Sequence, residues 1–344
     1  MNDFHVGASA RSLLTHLALY GLAGICQDAG HDQLRIGWSP GMDPRPVLRS
    51  TLSDEEIAEL VLDHAAQRST AGSWPKQDFI DAKGNARGLM SPRLSVLADD
   101  KQWETLQAER HRVLDELTRE KSGLDLRMIA ALGEPCYWRF HFNGDRAQND
   151  AASRLEMQPR NQGSEFVGSR LRKAADAVAK RTSEAVLDGL RETVANDTAR
   201  KNTSDSRSAA GLQPPGPVDD ALAWCALWGI ADAPLAYSTT GRAQTSVCLR
   251  DRDKNEYFYT PIWRGLWHPA HLRSILASGH FTQAASALIA PSADSASDIS
   301  GQGWLADRGV TALVMFPVTV HGSASAPERR ANQGILRPIA GRPA

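Results

Sequence analysis

Apolar residues recur at helical spacing near the start of the chain. Leu13, Leu14, Leu17, Tyr20 and Ile25 predict an early amphipathic helix. LRIGW, from Leu34 to Trp38, reads as a strand, and GMDPRP then breaks regular structure. Ser53 with Glu56 has capping-box spacing ahead of IAELVLDHAAQ, so a helix begins there. Gly72 to Arg93 shows no period and is predicted irregular. Asp99 to Lys121 predicts a long charged helix, and YWRFHF (Tyr137 to Phe142) predicts a strand.

A further helix is predicted from Ser164 to about Val194. The polar stretch NDTARKNTSDSRSAAGLQPPGP that follows reads as a linker or mobile loop. Pro217 suits the first turn of a new helix, and Asp219 and Asp220 suit its positive end. ALAWCALWGI is apolar on every side, which predicts a buried helix with Trp224 and Trp228 in the core. Short strands follow at SVCLR and YFYT, then a helix from His268 to Phe281 and a Ser/Ala/Asp-rich loop from Pro291 to Gly301. Thr311 to Val320 predicts a buried strand, followed by a basic tail. This mixture predicts a helix-rich α+β fold with short strands in two lobes. Residues 1–196 would form the first lobe, 197–217 the linker and 218–344 the second.

Composition narrows the class. The 344 residues are 42% apolar and 23% charged, as in ordinary soluble globular proteins, and the formal net charge is −1. Cys26, Cys136, Cys225 and Cys248 lie far apart without a CxxC pair, so neither a disulfide framework nor a zinc site is signalled. The apolar run from Leu13 to Ile25 is interrupted by His16 and is too short to span a bilayer. No membrane association is expected, and the reducing cytoplasm is the expected compartment.

Charge is concentrated locally. Arg160, Arg170, Arg172, Lys173, Lys180 and Arg181 stand against only Glu165 and Asp176 in the same stretch. Helical spacing puts Leu171, Ala174, Val178, Thr182 and Ala185 on a core side, with Arg170, Lys173, Lys180 and Arg181 beside it. Ser164 suits an N-cap, where free N–H groups attract phosphate. A second concentration follows the last strand, where Ser323 and Ser325 in a small turn precede Arg329 and Arg330. Arg207 in the linker is a third candidate. Solvated surface faces carry similar charges, and Lys180 with Glu184 has the spacing of an ordinary surface pair.

Catalytic signatures are weaker. Gly322 to Ala326 lacks the spacing of a nucleophile elbow, and GQGWLA precedes a strand where a dinucleotide fingerprint would follow one. His268 and His271 could share a ligand, and His141 and Asp145 flank a strand end, but neither pair completes a metal site. No catalytic residue, metal or cofactor is assigned. A metal-dependent hydrolase using these histidines and a purely protein-binding scaffold are the alternatives.

Several phrases together resemble subunits of CRISPR type I effector complexes, particularly the type I-U (I-G) group. They are LALYGLAGI, RNQGSEFVGSRL, GLQPPGPVDDALAWCALWGI and FPVTVHGSASAPERRANQG, and the similarity runs over most of the chain. It does not distinguish a large subunit from a smaller signature subunit. The resemblance implies a non-catalytic subunit that contacts guide RNA and target DNA, joins other subunits and helps recruit a separate helicase-nuclease. Such a subunit needs local cationic surfaces, because base pairing carries most of the sequence reading. The candidates are Arg160, Ser164, Arg170, Lys173, Lys180, Arg181, Arg207, Ser323, Ser325, Arg329 and Arg330.

Overall fold

A computed structural model gives the fold of residues 1–81, 83–91, 99–133, 155, 166–199, 211–236, 245–289, 296–323 and 326–339. The chain begins with β1 (Asn2–His5), α1 (Leu13–Asp28), β2 (Arg35–Trp38) and β3 (Pro46–Ser50). α2 (Asp54–Ser69) starts at the predicted capping box. The Ser53 hydroxyl accepts from Glu56 N at 3.2 Å, and Ser53 N donates to the Glu56 carboxylate at 2.7 Å. The stretch after α2, predicted irregular, contains a small hairpin of β4 (Asp78–Ile80) and β5 (Ala86–Gly88). α3 (Asp100–Arg119), capped by Asp99, and α4 (Gly123–Leu132) follow. The YWRFHF strand lies outside the described residues.

After a π-helical turn, Val167–Leu171, come α5 (Arg172–Val178) and α6 (Ser183–Leu190), and then α7 (Asp220–Trp228), which ends in a 3-10 turn, Gly229–Asp232. Pro217 precedes the N-cap Asp219 and is not in the first turn of α7. β6 (Cys248–Arg250), β7 (Glu256–Trp263) and β8 (Leu266–Trp267) lead to α8 (Pro269–Leu276) and α9 (Gly279–Ile289), which break the single helix predicted there. α10 (Ala296–Asp307) occupies part of the expected loop. The last strands are β9 (Val310–Ser323), β10 (Ala326–Ala331) and β11 (Ile335–Pro338). The architecture is α+β.

Two antiparallel sheets flank the central helices. One runs β1-β3-β2-β8, and the other runs β10-β9-β7-β6 with β11 also on β9. β2 pairs with β8 through Ile36↔Trp267, so residues from both sides of 197–217 share a sheet. They also share one hydrophobic core, and the expected linker therefore connects elements packed on each other.

α1 and α7 cross at the centre. Residues 13–26 of α1 are all buried, so the predicted amphipathic helix has no solvent face over that length. Every residue of α7 is buried too, as its apolar sequence predicts. Two glycines permit the crossing. A Cβ on Gly21 would lie 2.6 Å from Gly229 N and closer still to the Cys225 carbonyl oxygen. One on Gly229 would lie 2.8 Å from Leu17 Cα and closer to its carbonyl oxygen. Backbone meets backbone here, with no flexible side chain to yield.

Some of the polar groups in this core are paired, whereas Tyr20 OH and Trp228 Nε1 are buried without a hydrogen-bond partner among the described residues. His16 Nε2–H donates to the Ala10 carbonyl at 2.8 Å, and the ring packs against Trp38 and Phe316. Burial pushes its pKa down to about 3. Trp224 Nε1–H donates to His64 Nδ1 at 3.1 Å. Arg68 bonds Asp125 at 2.5 Å and Asp28 at 3.1 Å, beneath the Trp228 ring. Cys26 and Cys225 are buried and free, and Cys248 is half-buried. No helix among the described residues is long and apolar enough to cross a membrane.

Candidate nucleic-acid interface

The charged stretch predicted as one helix to about Val194 is bent. α5 ends at Val178 and α6 begins at Ser183, with Thr182 capping it by accepting from Ala185 N at 3.3 Å. Leu171, Ala174 and Val178 are buried as their spacing predicts. Thr182 is exposed and Ala185 half-buried, because the bend takes α6 off the original helical phase.

The bend is held by Arg181. Its guanidinium donates to Asp219 at 2.7 Å, to Asp220 at 2.9 Å and to the Asn196 carbonyl. Asp219 also caps α7 by accepting from Ala221 N at 2.7 Å, and it accepts from Asn196 N at 3.1 Å. Asp220 accepts from Thr198 N at 2.8 Å, from the Thr198 hydroxyl and from Ala199 N. One cation and two carboxylates thus tie the α5–α6 bend, the 196–199 loop and the start of α7 together. Gly189 makes room for this, since a Cβ there would fall 2.8 Å from Asp219 Oδ2 and closer to the rest of the carboxylate. Burial raises the Asp219 pKa, opposed by Arg181 and by the N–H groups of Ala221 and Asn196.

An open groove of about 480 Å³ lies over this brace, lined by Lys173, Asp176, Ala177, Lys180, Arg181, Asn196, Thr198 and Ala199. Lys173 and Lys180 are exposed, and among the described residues neither forms an ion pair. Asp176 is already bound by Lys76 at 2.5 Å. Asp219 and Asp220 are buried and share the guanidinium of Arg181, so the two lysines are the cations that the groove lining exposes to solvent.

The other predicted cations are placed differently. Arg170 is 6% exposed and belongs to the interior. The Arg181 side chain is 7% exposed and committed to its two aspartates. Arg172 bonds Asp78 at 2.7 Å and the Pro75 carbonyl at 2.9 Å. The basic tail is a hairpin strand, with Arg329 opposite Val320 and Arg330 opposite Thr319. Arg329 pairs with Glu256 at 3.5 Å and Arg330 with Glu328 at 2.8 Å. Their side chains are only 13% and 17% exposed. Arg170, Arg181, Arg329 and Arg330 are therefore corrected from presented charges to groups engaged within the fold. The sequence displays their charge but not the carboxylates and packing that meet it. Ser323 is the last residue of β9 and pairs with Ala326. Arg160, Ser164, Arg207 and Ser325 lie outside the described residues.

The histidines proposed for metal binding do not converge on a common ligand. His268 is the N-cap of α8, its Nδ1 accepting from Ala270 N at 3.2 Å, while His271 stacks on Trp267. His141 and Asp145 lie outside the described residues. Among the described residues no group of three or more His, Cys, Asp or Glu is placed to hold a metal ion.

Sequence reading missed Asn196 and Thr198, which bring the linker's start into the groove. The available signal was the Asp219-Asp220 pair, whose second carboxylate exceeds what a helix cap requires. No family model matches the chain, and no curated protein matches it.

Proposed function

We propose that this chain is a non-catalytic, nucleic-acid-binding subunit of a CRISPR type I effector complex. It acts in the cytoplasm beside guide RNA and target DNA, in contact with other subunits, and leaves cleavage to a separate helicase-nuclease. The observation that carries this reading is the groove with exposed Lys173 and Lys180 on its lining, beside Asp176, which is paired with Lys76, and Asp219 and Asp220, which are turned onto Arg181 and backbone N–H groups. Such a groove attracts phosphates electrostatically and gains from counterion release. Asn196 and Thr198 add polar groups along its wall. With a net charge of −1, the chain offers a local cationic surface in place of a global one. The resembling phrases support the reading separately, and LALYGLAGI and ALAWCALWGI supply the glycines at which α1 and α7 cross.

The test is co-expression with the operon neighbours. The assembled complex should carry a short RNA of uniform length. Lys173→Glu combined with Lys180→Glu should weaken its DNA binding and flatten the salt dependence, by about 0.9 in log–log slope for each phosphate the groove no longer neutralises. Unchanged affinity and slope would remove the groove from the contact surface. Loss of assembly with nucleic-acid affinity intact would mark a protein-binding scaffold.

A further inference from the structure

At one end of the β9-containing sheet, the turn between β7 and β8 meets the turn between α10 and β9. Arg264 N donates to the Gly309 carbonyl at 2.8 Å, which brings Arg264 beside Arg308. A run of stacked rings leads outward from the core at this place. Trp263 stacks on Trp267 at 4.5 Å between centroids and 11° between planes. Trp267 in turn stacks on His271 at 4.3 Å and 29°. The first two rings are buried, whereas His271 is exposed and ends the run.

A second aromatic group adjoins it. The Arg308 guanidinium lies 3.6 Å from the centre of the Trp304 ring, and His280 stacks on Trp304 at 4.8 Å. Arg308 is close enough to His271 to help burial lower its pKa. Arg264 and Arg308 are both exposed and form no ion pair among the described residues. Asp307 is the neighbouring acid in sequence. The exposed His271 ring, the half-buried Trp304 ring and two exposed guanidinium groups therefore share one patch. Rings stacked only for packing would not require the arginines, and arginines placed only for solubility would not require an outward stack.

We infer that the patch formed by His271, Trp304, Arg308 and Arg264 binds single-stranded nucleic acid, stacking a base on the ring surface while the arginines meet its phosphates. This rests on the nucleic-acid-binding reading above and adds a second contact that recognises bases by their π-faces. Stacking of this kind tolerates any base, so the patch holds a strand without reading its sequence. Arg308, 3.6 Å over the Trp304 ring, extends the platform, because a guanidinium group also accepts a stacked base.

The experiment uses the full chain and two fluorescein-labelled oligodeoxynucleotides of equal length, one with thymine bases and one abasic throughout. Their phosphate charge is the same. The thymine strand should bind at least about fivefold more tightly, the smaller effect expected from one base–aromatic stack. The combined variant His271→Ala with Arg308→Ala should abolish that preference, while unchanged thermal unfolding shows the fold intact. Both side chains are exposed, so stability should be retained. Equal binding of the two strands by the wild type, or a preference that survives in the variant, would overturn this inference and leave the lysine groove untouched. Binding of neither strand at low salt would count against both this inference and the reading on which it rests.

Discussion

Arg181 and Asp219 meet at 2.7 Å with both side chains nearly removed from water, and that pair holds the bend between two helices against the start of a third. Their bond belongs to the fold. Arg181→Ala would leave Asp219 and Asp220 buried without their cation, a destabilisation of about 3–5 kcal/mol by comparison with other broken buried pairs. Urea unfolding should show it as a lower midpoint. Lys173→Ala and Lys180→Ala, at exposed positions, should stay within about 0.5 kcal/mol of wild type. If Arg181→Ala were as stable as the lysine variants, the brace would not be a structural element.

The central crossing makes a graded prediction. Gly21→Ala and Gly229→Ala push a methyl group into opposing backbone and should each cost about 1–3 kcal/mol or more. Gly24→Ala should be milder, because its Cβ would meet Leu124 Cδ1 at 3.1 Å, the end of a side chain that can move. Thermal unfolding of the three variants gives the order directly. A Gly24 variant less stable than the other two would contradict the crossing geometry.

Acid should unfold the protein partly through His16. Its folded pKa of about 3 lies below the ordinary value of 6.5, so the unfolded state binds the proton more readily. The stability it contributes is full above about pH 6.5 and is lost as pH falls from there towards 3. The slope approaches about 1.4 kcal/mol per pH unit within that window. His64, depressed by burial first and by Arg68 second, adds in the same direction. Denaturation curves at pH 7, 6 and 5 should show the decline, and His16→Gln should make it shallower. An identical slope in that variant would remove His16 from the account.

Arg329 offers a contrast with the groove lysines. Arg329→Gln removes the 3.5 Å ion pair with Glu256, whose side chain is 8% exposed, and should cost about 1–3 kcal/mol. Nucleic-acid affinity and its salt slope should not change. A reduced slope in a stable Arg329→Gln variant would return that residue to the contact surface.

What can be read from the chain is what neighbouring residues decide together. The Ser53–Glu56 capping box, the buried α7 and the β9 strand each rest on a local pattern that the fold retains. Arg181 reads as a presented charge because its partners Asp219 and Asp220 are 38 and 39 residues away, where helical spacing carries no information. Arg329 misleads for the same reason, and its strand reads as a tail because β10 has few apolar residues to announce it. The groove is partly legible, since Lys173 and Lys180 follow the helical period. The aromatic patch is not, because its two turns meet through a backbone hydrogen bond between Arg264 and Gly309.

The pairing of β2 with β8, joined to the tight passage of α1 over α7, has a consequence for how the polypeptide could be divided. A peptide bond severed between residues 200 and 210 would leave β1, β2, β3 and α1 in one product and β8 and α7 in the other. Neither piece could cover its apolar surface except with the other, so the products should stay associated and continuity of the chain there is dispensable once folding is complete.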